Sequence, residues 1–229
     1  MTLRKNEIAN QLADVRQQIK TAAISSGRNP EDLHLIVVTK TWPASDVRIL
    51  AELGATDVGE NKAQEATSKF EESRDLGLRW HFIGQLQTNK VSMIAPYIDV
   101  VHSIDRSKLV NALGKAAVSA GRTITGLVQV SLDPPEVEGR AGIDPADALE
   151  LATEIDSTPG LILGGVMAVA PLGEDPAVAF SRLVPVVDQI QAKFPAASMV
   201  SAGMSNDLAE AIAAGATHLR IGSAILGSR

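Results

Sequence analysis

Short β-branched runs alternate with segments of helical period along the whole chain, and this alternation limits the possible folds more than any other feature. Such a rhythm predicts βα units on a parallel sheet. We predict eight strands, at residues 34–39, 56–59, 79–84, 98–103, 124–131, 161–169, 197–201 and 217–221. The predicted helices that follow them are 44–54, 62–73, 88–96, 106–120, 145–156, 175–193, 205–214 and a short last turn from Ser223.

No linker rich in Pro, Gly or Ser interrupts this pattern within the 229 residues. Eight strands with eight crossovers favour a closed (β/α)₈ TIM barrel over an open doubly wound sheet, so we expect one domain over residues 1–229. An extra N-terminal helix is predicted over residues 3–25, where apolar residues recur at helical spacing: Leu3, Ile8, Leu12, Val15 and Ile19.

Composition excludes several classes of function. The net charge is -6 and the basic residues are scattered, which argues against a nucleic-acid partner. The chain has no cysteine, so disulfides and thiolate chemistry are excluded. The longest apolar stretch, residues 161–172, is too short to cross a membrane, and the N-terminus lacks the apolar core of a signal peptide. We therefore expect a soluble cytoplasmic protein with a small-molecule site and no membrane contact.

Lys40 follows the first predicted strand in "LHLIVVTKTWP". In TIM barrels the chemistry lies at the carboxyl ends of the strands, so this lysine is predicted to rise into the mouth. Low-dielectric walls would lower the pKa of its amine and make it nucleophilic toward an aldehyde, as a Schiff-base lysine requires. Position alone leaves the alternative open that Lys40 extends into solvent or pairs with a loop carboxylate.

The last two predicted strands run into loops of a kind that binds phosphate. These are "SAGMSND", from Ser201, and "RIGSAILG", from Arg220. Exposed N–H groups and a helix dipole both favour an anion there. The candidate contacts are Ser201, Gly203, Ser205, Gly222 and Ser223. For either loop alone, ordinary caps and turns are the better explanation, and the pairing of both loops is what favours a phosphate site. Asp207 would repel a phosphate unless its carboxylate points elsewhere.

Three further side chains are candidates for the same mouth. Arg220 keeps its proton, so its guanidinium would donate a hydrogen bond to a neutral ring nitrogen, although a strand arginine is more often an ion-pair partner. Asn61, in "GENK", could bond a ring oxygen or simply cap a helix. His81, in "WHFIG", could reach the mouth, but strand histidines are usually satisfied core residues.

A lysine, an anion site and an arginine together match the aldehyde, phosphate and pyridine nitrogen of pyridoxal 5'-phosphate (PLP). The segments "VVTKTWP", "GENKAQE", "WHFIGQLQTNK", "VHSIDR", "GGVMAVAP", "SAGMSNDLAEAI" and "HLRIGSAILG" also resemble, in the same order and over essentially the whole chain, the signature segments of the pyridoxal phosphate homeostasis proteins. The resemblance implies a barrel like the N-terminal domain of alanine racemase, with the cofactor held as a Schiff base on Lys40. It also implies that the Ser201–Ser205 loop and the Gly222-Ser223 turn bind the phosphate and that Arg220 meets the ring nitrogen.

One segment departs from that family's pattern. The family often has an Asn after the fifth strand and a Lys-x-Gly further on, whereas this chain reads "VSLDPPEVEGRAG". Ser131 takes the strand end, and Arg140 and Gly142 lie in the loop. The contacts of the 131–142 loop are therefore left open, while the predicted cofactor site is unaffected.

The choice between enzyme and carrier depends on a second base. Alanine racemases take it, a tyrosine, from another subunit's additional β-domain, which we do not expect here. The sole tyrosine, Tyr97, precedes the fourth strand, at the opposite end of the barrel. We therefore expect a monomeric, non-catalytic PLP carrier of vitamin B6 homeostasis that supplies PLP-dependent apo-enzymes. The alternatives are a racemase-like enzyme with a base from His81 or water, and a barrel for another phosphorylated metabolite in which Lys40 is a charge partner.

Overall fold

The strands form a closed barrel, as the alternation predicted. The computed structural model describes residues 3–133 and 141–227. The parallel strands follow one another around the barrel in chain order, and the last pairs with the first. They are β1 (His34–Val38), β2 (Asp57–Glu60), β3 (Arg79–Phe82), β4 (Val100–Ile104), β5 (Ile124–Gln129), β6 (Leu161–Met167), β7 (Met199–Ser201) and β8 (His218–Ile221).

Helices surround the barrel, and the predicted extra N-terminal helix is confirmed. They are α1 (Leu3–Ser25), α2 (Ala44–Glu52), α3 (Ala63–Ser73), α4 (Val91–Ile94), α5 (Ser107–Ser119), α6 (Ala148–Ser157), α7 (Pro176–Ser181), α8 (Val184–Lys193), α9 (Leu208–Ala213) and α10 (Ser223–Leu226). The apolar stripe of α1 buries Ile8, Leu12 and Val15, and the helix packs against α9 and α10. Within the described ranges, none of these helices combines the length and apolar character needed to cross a membrane.

Four predicted helices differ from the observed ones. The segment 145–156 begins with a 3₁₀ turn, Pro145–Asp147, before α6. The segment 175–193 is split into α7 and α8, because Pro185 has no N–H with which to continue the helix and instead occupies the first turn of α8. The segment 88–96 contains a 3₁₀ turn, Thr88–Lys90, and then only the single turn of α4. The segment 205–214 becomes helical only at Leu208, because the preceding residues form a turn that Asp207 closes.

Two adjacent glycines bend β6. The pairing of β5 with β6 shifts by one residue at Gly164, which makes a β-bulge. Gly165 has a φ of 142°, and a Cβ atom there would lie 2.0 Å from the Met199 carbonyl oxygen of β7. The glycine pair therefore permits the close approach of β7, so the segment after β6 and the end of β7 lie side by side at the mouth.

The interior of the barrel is unusually polar. Branched apolar side chains normally fill such a barrel, and here Val100, Leu127 and Met167 form only a small apolar cluster. His102 on β4 bonds to Ser201 on β7, which lies across the barrel. The chain's 4 histidines all lie on barrel strands. The rings of His34 and His218 stack, with their centroids 4.7 Å apart.

His218 makes stability depend on pH. Burial, with help from His34, His81 and Arg79 and against Asp57, lowers the pKa of His218 to about 3. The pKa of a histidine in the unfolded chain is about 6.5. Below that pH the unfolded chain binds a proton at His218 that the folded chain does not bind, so acidification favours unfolding. We expect this residue alone to reduce the free energy of unfolding by about 2 kcal/mol between about pH 7.5 and about pH 5.

Urea titrations of the native protein and of His218→Asn at both pH values measure this contribution. The free energy of unfolding of His218→Asn should fall less on acidification than that of the native protein. The control Val100→Ala should be less stable at both pH values, but its loss on acidification should equal that of the native protein. An equal acid-induced loss in His218→Asn and the native protein would contradict the assignment.

Candidate functional site

A cavity of about 480 Å³ opens at the carboxyl ends of the strands. This volume is within the usual range for small-molecule sites, about 300–1,000 Å³. The cavity is bounded by the end of β1, the loop after β6, the loop after β7 and the turn after β8. Its lining residues are Val38, Lys40, Ile83, Ala170–Glu174, Pro176, Met204–Asp207, Arg220, Gly222 and Ser223.

Most of the predicted site residues meet at this cavity. Those that line it are Lys40, Ser205, Arg220, Gly222 and Ser223. Ser201 and Gly203 lie directly behind it: the Ser201 hydroxyl accepts a hydrogen bond from Arg220, and the Gly203 carbonyl accepts one from the Arg220 backbone N–H. Asn61 instead lines a neighbouring cavity of about 240 Å³, between the loops that follow β2 and β3.

Lys40 lies one residue beyond the buried Thr39, and its side chain is exposed to the cavity. In the described part of the chain its amine has no hydrogen-bond or ion-pair partner, so the predicted alternative of a loop carboxylate is not observed. The next residue, Thr41, has a φ of 69°. That conformation is strained for a β-branched residue, so the turn after Lys40 must be held by its surroundings.

A buried ion pair beneath Lys40 holds this turn. Lys69 on α3 donates to the Thr39 carbonyl oxygen at 2.6 Å, to Glu60 at 2.6 Å and to Glu65 at 2.7 Å. Glu65 in turn accepts a 2.5 Å hydrogen bond from the backbone N–H of Thr41. The backbone on both sides of Lys40 is therefore tied to one ammonium group.

Glu60 is the most constrained member of this ion pair. It is 0% exposed, and its Oε1 atom also accepts a 2.6 Å hydrogen bond from the Thr39 hydroxyl. Burial raises the pKa of Glu60 above its ordinary value, against the opposing effects of Lys69 and Thr39. Because desolvation is this costly, Glu60 depends on Lys69 for its stability as an anion.

The two predicted phosphate loops converge. The hydroxyl oxygens of Ser205 and Ser223 lie 3.2 Å apart. Gly222 packs against β1: a Cβ atom added to Gly222 would lie 3.0 Å from the Val38 carbonyl oxygen. The direction of Asp207 is now explained: its carboxylate accepts a 2.5 Å hydrogen bond from the backbone N–H of Met204. One carboxylate oxygen is therefore engaged within the loop itself.

Arg220 is 5% exposed, and its guanidinium faces both the barrel interior and the cavity. It donates to Ser201 Oγ at 2.6 Å and to the Ala168 carbonyl oxygen at 2.9 Å. Both acceptors are neutral, so among the residues that the structure describes the predicted alternative of an ion-paired strand arginine is not observed. Burial lowers the pKa of Arg220 to about 10, and Asp207 opposes the change. The guanidinium therefore remains a cation at neutral pH.

Three other candidates have different surroundings. Asn61 is not a helix cap, since Lys62 is the N-cap residue of α3, and its Oδ1 atom is buried without a hydrogen-bond partner among the described residues. His81 is fully buried and bonds to Asp57 and His102, as a satisfied core histidine would. Tyr97 is buried at the amino end of β4, where burial raises its pKa to about 12.

The loop that departs from the family pattern is described only in part. Arg140 lies outside the described residues. Ser131 follows β5 and accepts a 3.3 Å hydrogen bond from the backbone N–H of Asp133. Gly142 has a φ of 128°, and a Cβ atom there would lie 2.6 Å from the Ser131 nitrogen. Gly142 therefore allows the returning chain to pass close to the end of β5.

Sequence analysis missed four residues that shape this site. Glu60 and Lys69 fix the turn that carries Lys40, and Asp57 and His102 extend the polar contacts of Arg220 into the barrel. Two of them could have been found from the sequence. Lys69 lies one helical turn after Glu65, and His102 lies two residues after Val100, on the same face of a strand. Neither signal specifies its partner, which lies on a different strand or helix.

Replacement of Lys69 should release the turn around Lys40. We expect Lys69→Met to reduce the free energy of unfolding by about 3–5 kcal/mol, because it leaves Glu60 charged and buried without a cation. The double variant Lys69→Met/Glu60→Leu should recover most of that loss, since it also removes the unpaired charge. Chemical denaturation measures both values.

The control is Arg48→Met, which breaks the exposed pair between Arg48 and Asp75. A surface pair contributes little, so its removal should have a much smaller effect. A loss in Lys69→Met no larger than in Arg48→Met would contradict the structural role of the buried pair.

Comparisons with known proteins agree with this geometry. Residues 10–229 match the family model described as "Alanine racemase, N-terminal domain". The chain is 38% identical to the pyridoxal phosphate homeostasis protein of Mycobacterium tuberculosis (strain ATCC 25618 / H37Rv), over 99% of this chain and 94% of that protein. The corresponding protein of Escherichia coli (strain K12) is 37% identical, over 98% of this chain and 97% of that protein.

A solved structure shows the same fold with a ligand. PipY of Synechococcus elongatus PCC7942, whose structure has PLP bound, superposes with a TM-score of 0.82 at 31% identity, covering 96% of this chain and 100% of that chain. These matches extend over nearly the whole length of both partners, and they confirm the resemblance inferred from the signature segments. This chain therefore belongs to the pyridoxal phosphate homeostasis protein family, which shares the barrel of the alanine racemase N-terminal domain.

Proposed function

We propose that this chain binds PLP in the mouth cavity, holds it covalently on Lys40 and acts in PLP homeostasis as a carrier without catalytic turnover. The observation that carries the proposal is the amine of Lys40, which has no partner in the described part of the chain and shares one cavity with Arg220 and the Ser205–Ser223 pair. Membership of the homeostasis family and the PLP bound to PipY support the same ligand.

The groups around the cavity suit the chemical groups of PLP. Lys40 offers an amine for the aldehyde. The converging hydroxyls of Ser205 and Ser223, with the turn at Gly222, offer hydrogen bonds to the phosphate, and Ser201 and Gly203 support this side from behind. Arg220 offers N–H donors to the ring nitrogen. Asn61 lines a separate cavity, so its contact with the ring oxygen stays a prediction.

The covalent step is a reversible condensation. The nitrogen of Lys40 would form a C=N bond with the aldehyde carbon. The carbonyl oxygen would leave as water with the two protons of the neutral amine, and hydrolysis would reverse the step. Lys40 lies at an open mouth, so both water and an acceptor protein have access to the bond. This reversibility is what a carrier that supplies PLP-dependent apo-enzymes requires.

The titratable groups around the cavity support a carrier rather than a racemase. Among the described residues, two carboxylates line the cavity, and both are engaged: Glu174 pairs with Arg182 at 2.6 Å, and Asp207 bonds to its own loop. The pair with Arg182 lowers the pKa of Glu174, which weakens it as a base. Both ring nitrogens of His81 already have partners, and Tyr97 lies at the opposite end of a strand. A second base opposite Lys40 is therefore difficult to supply from these groups.

Replacement of Lys40 tests the covalent link. We expect the native protein with PLP to absorb visible light, to lose that band on borohydride reduction and to retain the added mass on the peptide containing Lys40. Lys40→Ala should show neither the band nor the mass. Lys62→Ala, which removes a lysine of the neighbouring cavity, is the matched control and should keep both.

Two results would contradict this link. A visible band that persists in Lys40→Ala would place the covalent bond on another amine. A native protein that binds PLP without any such band would favour the alternative in which Lys40 is only a charge partner for a phosphorylated ligand.

A survey of amino acids tests the absence of turnover. PLP-loaded protein should leave the enantiomeric ratio of each amino acid unchanged in chiral chromatography, because the titratable groups that the structure describes at the cavity are already engaged. An alanine racemase assayed in parallel is the positive control. Interconversion or decarboxylation at a median enzyme rate, about 10 per second, would instead establish the racemase-like alternative.

A further inference from the structure

A continuous column of hydrogen bonds crosses the barrel interior from the mouth to its opposite end. Arg220 Nη1 donates to Ser201 Oγ at 2.6 Å, and Ser201 Oγ lies 2.9 Å from His102 Nδ1. His102 Nε2 lies 2.8 Å from His81 Nδ1, and His81 Nε2 lies 2.8 Å from Asp57 Oδ1. Asp57 also lines a second cavity of about 350 Å³ near the amino ends of β1 and β2.

We propose that this column has a single hydrogen-bond direction, from Arg220 to Asp57, and that His81 and His102 are positioning residues that keep the Ser201 hydroxyl turned away from the mouth. The two charged ends impose the direction. A guanidinium can only donate, and an ionised carboxylate can only accept. Asp57 therefore requires a proton on His81 Nε2, and Arg220 requires that Ser201 accept.

The intermediate bonds follow from these ends if both rings are neutral. A neutral His81 with its proton on Nε2 must accept at Nδ1, so His102 carries its proton on Nε2. His102 then accepts at Nδ1, and the Ser201 O–H is the donor to it. Every polar atom of the column is satisfied, with both histidines in the Nε2–H tautomer.

The surroundings of the column favour neutral rings. His81 and His102 are both 0% exposed. Burial lowers the pKa of His81, and burial, with the positive charge of Arg220, lowers the pKa of His102 well below its ordinary value. Burial alone would raise the pKa of Asp57, but hydrogen bonds from His81 and Thr56 lower it, so this carboxylate stays ionised.

The direction of the column has a consequence at the cavity. The Ser201 hydroxyl donates its proton to His102 and accepts a hydrogen bond from Arg220, so it has no proton left to donate to a ligand. Arg220 is held by Ser201 and by the Ala168 carbonyl, which fixes the plane of the guanidinium and leaves its other N–H groups for the mouth. The effect on PLP rests on the function proposed above, whereas the tautomers are a property of the protein without ligand.

Nitrogen NMR of ligand-free protein tests the direction. Long-range ¹H–¹⁵N correlations near neutral pH should show a protonated Nε2 and an unprotonated Nδ1 for both His81 and His102. A proton on Nδ1 of either ring, or a doubly protonated His81, would overturn the proposal, because each reverses a bond of the column. This result is independent of whether PLP binds to Lys40.

Asp57→Asn tests which end sets the direction. Its amide can face His81 with either its oxygen or its NH₂ group, so the direction is no longer imposed from this end. We expect the ring signals of His102 to split or shift, although His102 does not touch Asp57. Unchanged His102 signals would show that Asp57 does not set the direction.

A pair of His102 variants tests the positioning role. His102→Asn can still accept from Ser201 through its side-chain oxygen, whereas His102→Leu cannot. With both variants folded by circular dichroism, His102→Leu should weaken PLP binding about fivefold more than His102→Asn, the equivalent of one hydrogen bond. Equal affinities would overturn the positioning role. The visible band should remain in both variants, because Lys40 is intact.

Discussion

The structure depends above all on the burial of one permanent cation inside the barrel. A guanidinium removed from water must be given acceptors or it destabilises the fold. Arg220 receives a serine hydroxyl and a backbone carbonyl, and the serine is in turn connected to two histidines and an aspartate. Accommodation of this one charge therefore explains why the interior of the barrel is polar where aliphatic packing is usual.

The two sides of the mouth are built differently. On the β8 side, Arg220 is held by the barrel wall and has little freedom. On the β1 side, the Lys40 side chain has no partner among the described residues, while the backbone around it is tied down by Lys69, Glu60 and Glu65. This division suits the proposed covalent site, because the amine can move toward a ligand while its point of attachment stays fixed.

The sequence predicted the barrel well because its signal is local. Strand-to-helix alternation needs no knowledge of distant contacts, and the ends of the strands then locate Lys40 and the loops after β7 and β8. The break before Pro185 was also a local signal, although the long periodic stretch concealed it. The hydrogen-bond column was not predictable in this way, since His102 and Ser201 are 99 residues apart and meet only across a closed barrel. The direction of Asp207 depended on one backbone N–H, which no residue pattern specifies.

The contact between Gly222 and β1 also bears on ligand choice. Because a Cβ atom at residue 222 would lie 3.0 Å from the Val38 carbonyl oxygen, the turn after β8 lies against the strand that ends at Lys40. Main-chain packing thus sets the span between the point of attachment of Lys40 and the proposed anion-binding turn. In the proposed covalent site, the side chain of Lys40 is therefore the part that adjusts to the distance between a ligand's aldehyde and its phosphate.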